Sequence, residues 1–452
     1  MSRRRWWGWL LLLLASGCTP SRPPSASNPQ VYVVGYTDAG AFHLRVPNGR
    51  IAGEIGAIRV AEVRLSPPEL EDLRRQGLLR YAQPASSGMR LVEPVGASPL
   101  PQGLDFQWYL QAVHSDALEP LGGGAGVEVA VLDTGIDATH PDLAGALLPG
   151  IDALTGGSLP PDRDFSAGME HGTHVAGVLV AHGRVRGLAP AARLLPVRIF
   201  APDYVGDFRA AQAMVEGANR GAKVFNLSFG GYAFPAVLYD AVTYVLQRGG
   251  WVLAAAGNQG DTRPFYPAAF PGVIAVGAAG ATQTPTDFSN RGTWVDLYAP
   301  GVNIFSTLPG DRYGFLSGTS MASPVVAGIA SVLRGVRPNL DAWGLAWLFR
   351  RYGTDATKLV AGYRDAPYGG CLRVQIMRNG APQEAWLELD FGDGERYAIA
   401  TDYLGNGKFF GVPQGAATLR VVVGSSAARR IHTEPVRAFR SCAWTRVVDI
   451  GE

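Results

Sequence analysis

Short, mainly apolar runs recur between residues 103 and 355, at 127–132, 194–199, 224–227, 251–256 and 273–276. Helix-patterned stretches such as 208–218 and 235–248 separate them. A strand that is apolar at every position must be covered on both faces, and parallel strands need the long crossovers that helices supply. The pattern predicts an α/β fold, a mostly parallel sheet with helices on both faces. In such sheets reacting groups gather beyond the carboxyl ends of the strands, so the polar residues there carry the functional argument.

At 452 residues the chain is too long for one ordinary domain. Residues 30–95 pattern as a small α/β unit, with strands expected at 31–34, 61–65 and 78–81. Ser66 opens a helix there, with Pro67 and Pro68 in its first turn, Glu69 in capping-box position and a stop near Gly77. Residues 368–452 hold short strands, turn residues and no long helix, the pattern of a small β domain. The expected division is 1–17 as a signal, 18–29 as a tether, then units at 30–95, 103–365 and 368–452. Formal net charge is +2, and Arg3, Arg4 and Arg5 account for more than all of it. No basic excess remains to attract nucleic acid.

Those arginines precede an apolar run at 6–15, too short to span a bilayer as a stable anchor. The segment is expected to direct export rather than to fold. It ends at Ala15-Ser16-Gly17-Cys18, which resembles a bacterial lipobox and would make Cys18 the lipidated first residue, attached to a membrane. The alternative is an ordinary signal peptide with a chance cysteine; Ser2-Arg3-Arg4 also faintly resembles a twin-arginine signal. The destination is the cell envelope, or the exterior after processing. An oxidising compartment favours a disulfide between Cys371 and Cys442, worth about 4 kcal/mol in the chain-entropy model. Two buried free thiols are the alternative.

Three motifs stand at strand ends or helix starts. Asp133 ends the first long strand in Asp133-Thr134-Gly135, a weak signal because Asp and Gly fill many turns. His171 begins His171-Gly172-Thr173-His174-Val175-Ala176-Gly177, and Ser320 lies in Gly318-Thr319-Ser320-Met321-Ala322-Ser323-Pro324. These longer strings, in the order Asp, His, Ser, resemble the subtilase family of serine proteases across roughly residues 103–355. A serine hydroxyl needs a base to take its proton, and imidazole titrates near neutrality. The resemblance implies that His171 is that base, that Asp133 orients it and that Ser320 is the nucleophile. It implies that His174 is structural. Asn258, closing Ala254-Ala255-Ala256-Gly257-Asn258, is implied as the side chain of the oxyanion hole.

The same resemblance makes Ser228-Phe229-Gly230-Gly231 the edge that pairs with extended substrate. It lines the primary pocket with Ser228, Phe229, Ala255, Ala256 and Gly257. Phe265, just before Tyr266-Pro267, is expected to narrow that pocket toward small or medium side chains. Residues 30–95 resemble a subtilase propeptide, a chaperone and temporary inhibitor, with cleavage expected in a flexible stretch at 85–103. The strings at 401–409 and 412–415 resemble a carboxypeptidase-regulatory-like β sandwich, read as a structural cap, with binding of cell envelope or substrate as the alternative.

Catalysis of this type requires no cofactor. Calcium is left open as a structural ion, with no metal ligands assigned. Asp142 in His140-Pro141-Asp142-Leu143 matches a calcium ligand of many subtilases, and Asp296 a weaker cation site. The loop at 181–187, however, is short and carries Arg184 and Arg186, whereas hard cations want six or more oxygens. The expected protein is a monomeric, exported serine endopeptidase acting on protein or peptide substrates and made as a self-processed zymogen. Its rival is an inactive, lipid-anchored binding scaffold, which predicts a broken triad or oxyanion hole.

Overall fold

The computed structural model describes residues 28–96, 105–158, 162–164, 170–200, 203–367, 369–392, 396–424, 430–438 and 445–451. The signal segment, Cys18, most of the tether and Cys442 lie outside the described residues.

The central sheet has eight strands in the order Leu297–Pro300, Val273–Ala279, Trp251–Ala255, Val224–Leu227, Glu128–Asp133, Arg193–Arg198, Ile151–Asp152 and Gly157–Ser158. All neighbours are parallel except the last pair. Every residue of Trp251–Ala255 and Val273–Ala279 is buried, as two-sided cover requires. The cover comes from two helix pairs, His171–Val180 with Thr319–Val336, and Asp207–Asn219 with Ala236–Gln247. The chain builds outward from Glu128–Asp133 in one direction to Arg193–Arg198 and in the other to Val224–Leu227. Asp133 therefore ends its strand at a topological switch point, where α/β sheets open a crevice.

The N-terminal unit is a four-stranded antiparallel sheet in the order Ile51–Ile55, Val60–Leu65, Gln30–Tyr36, Leu79–Pro84. Ser66 and Glu69 form the expected capping box at the start of Pro67–Arg75. One face of the sheet makes its own core from Val34, Tyr36, Phe42, Val63 and Leu79. The other sends Val33, Val60 and Tyr81 into the core of the central unit. At the C-terminus two four-stranded sheets face each other around Leu372, Val374, Leu387, Ile399, Phe409 and Leu419. Trp343, from the helix Ala342–Tyr352, plugs this second core onto the central unit.

One expectation is corrected. The junction expected to be flexible contains the strand Gly88–Leu91. It is the middle strand of a three-stranded antiparallel sheet, between Tyr204–Gly206 and Phe229–Gly230. Two open strand edges face each other there, and one extended segment satisfies both. Its side chains alternate accordingly, with Met89 and Leu91 buried and Arg90 exposed.

The helix that begins at His171 packs so closely on the 133–137 turn that a Cβ on Gly172 would overlap the Gly135 carbonyl oxygen. Gly172→Ala must push helix and turn apart, at about 1–3 kcal/mol or more. A thermal-unfolding midpoint lower by several degrees, with activity lost alongside, is the expected result.

Candidate active site

Asp133 and His171 meet beyond the switch point. His171 Nδ1 lies 2.8 Å from Asp133 Oδ1 and 3.0 Å from Oδ2, with both residues buried. Asp133 Oδ1 also accepts the Thr134 N–H at 2.7 Å, which fixes the carboxylate. Burial alone would depress the His171 pKa. The charge and hydrogen bond of Asp133 outweigh it, Asp164 adds to them, and the net direction is upward. The ring is thereby a stronger base than a free imidazole.

Asp164 is a residue the sequence reading missed. Its Oδ2 accepts the backbone N–H and hydroxyl of Thr173 at 2.8 and 2.7 Å, and its Oδ1 accepts the Thr134 hydroxyl at 2.7 Å. It ties the Asp133 turn to the first turn of the His171 helix. His174 has the structural place expected of it. Its Nε2 donates to the Ile304 carbonyl at 2.8 Å, and full burial drives its pKa down to about 3, so the ring is neutral.

Ser320 occupies the first turn of Thr319–Val336, where unpaired N–H groups and the helix dipole favour negative charge. Beside it, Asn258 Oδ1 accepts both the N–H and the hydroxyl of Thr319 at 2.9 Å. That pair of donors determines which way the amide faces and turns its NH2 toward the cleft. The Asn258 loop is held from below by Asn290, which donates to the Ala256 carbonyl at 2.8 Å and accepts from the Gln259 and Asp261 N–H groups. Gly257 is at φ +98, and a Cβ there would overlap Asn290. Thr319 and Asn290 carried no local sequence signal of this role.

The cleft contains the protein's own chain. Leu91 and Arg90 pair with Phe229 and Gly230. The Val92 N–H donates to the Ser228 carbonyl at 3.0 Å, and the Val95 N–H to the Ser317 carbonyl at 2.7 Å. Ser320 Oγ donates to the Val92 carbonyl at 2.7 Å, and the Asn258 amide donates to the next carbonyl, Glu93, at 2.7 Å. The Val92–Glu93 peptide thus lies across Ser320 and Asn258.

The Val92 side chain is buried in an apolar cluster with Ala255 and Phe265, flanked by Tyr232 and Trp294. Phe265 closes the cluster, edge-on to Tyr232 at 5.2 Å between ring centres. A Cβ on Gly230 would overlap the Phe265 ring, so glycine there makes room for it. Ala255 belongs to this cluster, whereas the Ser228 hydroxyl reaches the Ser320 carbonyl, the Gly257 N–H donates to the Thr319 hydroxyl and the Ala256 carbonyl accepts from Asn290. Phe229 differs from expectation. Its ring turns away to pack on Phe200 at 5.8 Å, and it offers the cleft only backbone. Gly231 pairs with Tyr266 through two backbone hydrogen bonds rather than with the segment in the cleft.

The two carboxylates matched to cation sites do not fit calcium. Asp142 accepts the Val185 N–H at 2.8 Å and the Tyr313 hydroxyl at 3.0 Å. Burial would raise its pKa, but the N–H groups of Val185 and Arg184 outweigh burial and hold it below the ordinary value. A Cβ on Gly183 would overlap the carboxylate, so the short loop sits directly on it. Asp296 accepts the Ala275 N–H and the Arg350 Nε, each at 2.7 Å. A guanidinium and backbone donors take the places where a hard cation would need oxygens. Among the described residues there is no cluster of three His, Cys, Asp or Glu that could hold a metal.

The subtilase family profile matches residues 124–351. The thermophilic serine proteinase of Bacillus sp. (strain AK1) is 38% identical over 295 residues, covering 63% of this chain and 70% of that protein. Fervidolysin of Fervidobacterium pennivorans is 31% identical over 443 residues, covering 84% of this chain and 62% of its own length. The crystal structure of fervidolysin, described as a keratinolytic enzyme related to subtilisin, superposes with a TM-score of 0.79. It covers 95% of this chain and 79% of that one at 24% identity, which speaks to the fold alone.

A resident calcium at one hundred times its dissociation constant would stabilise by about 2.7 kcal/mol, or several degrees in a domain this size. With Asp142 already partnered by N–H groups and a hydroxyl, Asp142→Asn should leave the difference between midpoints in excess chelator and in millimolar calcium unchanged to within about 2 °C. Arg350→Met, which strands a buried carboxylate, should cost about 3–5 kcal/mol in either buffer.

Proposed function

The chain belongs to the subtilase family and is a subtilisin-like serine endopeptidase, and from that premise we propose that Asp133, His171 and Ser320 are its triad and that its first substrate is its own Val92–Glu93 bond. The observation that carries this reading is the posture of Val92. Its N–H is paired with Ser228, its side chain is buried against Ala255 and Phe265, and its carbonyl rests on Ser320 Oγ. A polypeptide substrate would enter the same way, as an added strand.

In the proposed reaction Ser320 gives its hydroxyl proton to His171, and its oxygen attacks the Val92 carbonyl carbon. The carbonyl oxygen gains negative charge and swings from Ser320 to the Asn258 amide and the helix-start N–H groups. The carbon–nitrogen bond breaks, and the Glu93 nitrogen leaves with the proton His171 held. Water then attacks the Ser320 ester, giving a proton to His171. The serine oxygen recovers that proton as the Val92 carboxylate is released. Asp133 stays ionised and steadies the imidazolium in both halves.

The same reading makes residues 30–92 an inhibitor-like prosegment and Glu93 the start of the mature enzyme. Export through the N-terminal segment, a lipid on Cys18 and a Cys371–Cys442 disulfide complete it; Cys371 is buried at the edge of the C-terminal core, where a cross-link would tie down the chain end. The triad residues already in contact, Asp133 and His171, leave the inactive-scaffold alternative without a feature in its favour.

A fluorophosphonate probe tests the nucleophile. The wild-type protein should be labelled at Ser320 and should degrade an unfolded substrate, while Ser320→Ala does neither. Labelling at another residue, or none after removal of the N-terminal unit, would overturn the assignment. Phe265→Gly should widen the pocket and shift preference before the cut bond from valine-sized toward aromatic side chains by about tenfold or more. An unchanged peptide-library profile would remove Phe265 from the pocket.

A further inference from the structure

The C-terminal module reaches past the central unit and touches the N-terminal one. Contact is made by the turn between the strands Arg396–Ala400 and Asn406–Val412. Asp402 builds this turn, its Oδ1 accepting the N–H groups of Leu404 at 3.0 Å and Asn406 at 2.8 Å, with Gly405 at φ +71. The turn presents Tyr403 to Leu79–Pro84, the edge strand of the N-terminal sheet. The Tyr403 N–H donates to the Arg80 carbonyl, and its hydroxyl donates to the Ala82 carbonyl at 3.3 Å. Carbonyls two residues apart point the same way from a strand, so one residue caps two groups of an otherwise open edge.

Two further contacts extend this grip. The Arg74 guanidinium lies over the Tyr403 ring at 4.2 Å and pairs with Glu384 at 3.0 Å. The ring itself packs against the N-terminal core. A mere end-cap for the central unit would need none of these contacts, since Trp343 already fastens the C-terminal core to that unit.

We propose that the C-terminal module is a clamp that holds the N-terminal unit on the enzyme after the chain is cut, with Tyr403 as its main contact and Glu384 as its second. This rests on the self-cleavage reading above. Before the cut the N-terminal unit is tethered by its own backbone. Afterwards only non-covalent contacts retain it, and its departure exposes the cleft. The clamp thus sets the delay between cleavage and activity.

The test uses the full chain, refolded and followed over time, as wild type, Tyr403→Ala, Tyr403→Phe and Glu384→Ala. Loss of a cation–π contact, a ring contact and a hydrogen bond should speed release about tenfold for Tyr403→Ala. The lag before substrate turnover should shorten by the same factor. The N-terminal fragment should cease to co-elute with the enzyme on size exclusion, while the cut itself proceeds at the wild-type rate on a gel. Tyr403→Phe should stay within about threefold of wild type, and Glu384→Ala, at an exposed site, should fall between. An unchanged lag and unchanged co-elution would overturn the clamp.

A second readout does not depend on cleavage. In a Ser320→Ala background, Tyr403→Ala should speed hydrogen exchange of amides in Gln30–Tyr36 and Leu79–Pro84 but not in Val273–Ala279. Equal exchange in the two chains would overturn the clamp even if no cut ever forms. Absence of the cut in every Ser320-containing chain would instead count against self-cleavage.

Discussion

One strand, Gly88–Leu91, closes the cleft, and the rest of the arrangement depends on its pairing. It lies between the edges Tyr204–Gly206 and Phe229–Gly230 and satisfies backbone groups of both. Each such hydrogen bond contributes only about 1 kcal/mol net, but leaving a buried edge unpaired costs more. The pairing sets the register of the next residues in the chain. With Arg90 opposite Gly230, Val92 must reach the pocket and its carbonyl must reach Ser320. Backbone pairing holds the segment in place, and the Val92 side chain is buried against Ala255 and Phe265.

Much of this was legible in the sequence because it is local. Apolar runs such as 251–256 could only be two-sided strands, and the structure buries them so. Ser66 and Glu69 form a box because three residues separate them. Asp133, His171 and Asn258 sit at the ends or starts of elements whose pattern was plain. The parts that were not legible act across distant segments. Thr319 orients Asn258 from 61 residues away, and Asn290 supports the same loop through the Ala256 carbonyl, 34 residues away. Asp164 joins two motifs without belonging to either. The family resemblance placed Phe229 in the pocket, but its ring packs edge-on to Phe200. The strand at 88–91 was hidden by its Ser, Pro and Gly neighbours, although Met89 and Leu91 alternate with Arg90 as a half-buried strand should.

The carboxylates at Asp142 and Asp296 are each occupied by donors of the chain itself. Backbone N–H groups from Val185 and Arg184 and the hydroxyl of Tyr313 serve the first, and Arg350 with the Ala275 N–H serves the second. These donors are part of the covalent chain and are not lost to dilution or to a chelator.

The position of the first cut tests the central claim most directly. Intact mass spectrometry of freshly refolded wild-type protein should show one fragment ending at Val92 and one beginning at Glu93, with neither present in Ser320→Ala. A first cut after Glu93 or elsewhere in the junction would contradict it, since Val92 would then not be the residue whose carbonyl the serine attacks.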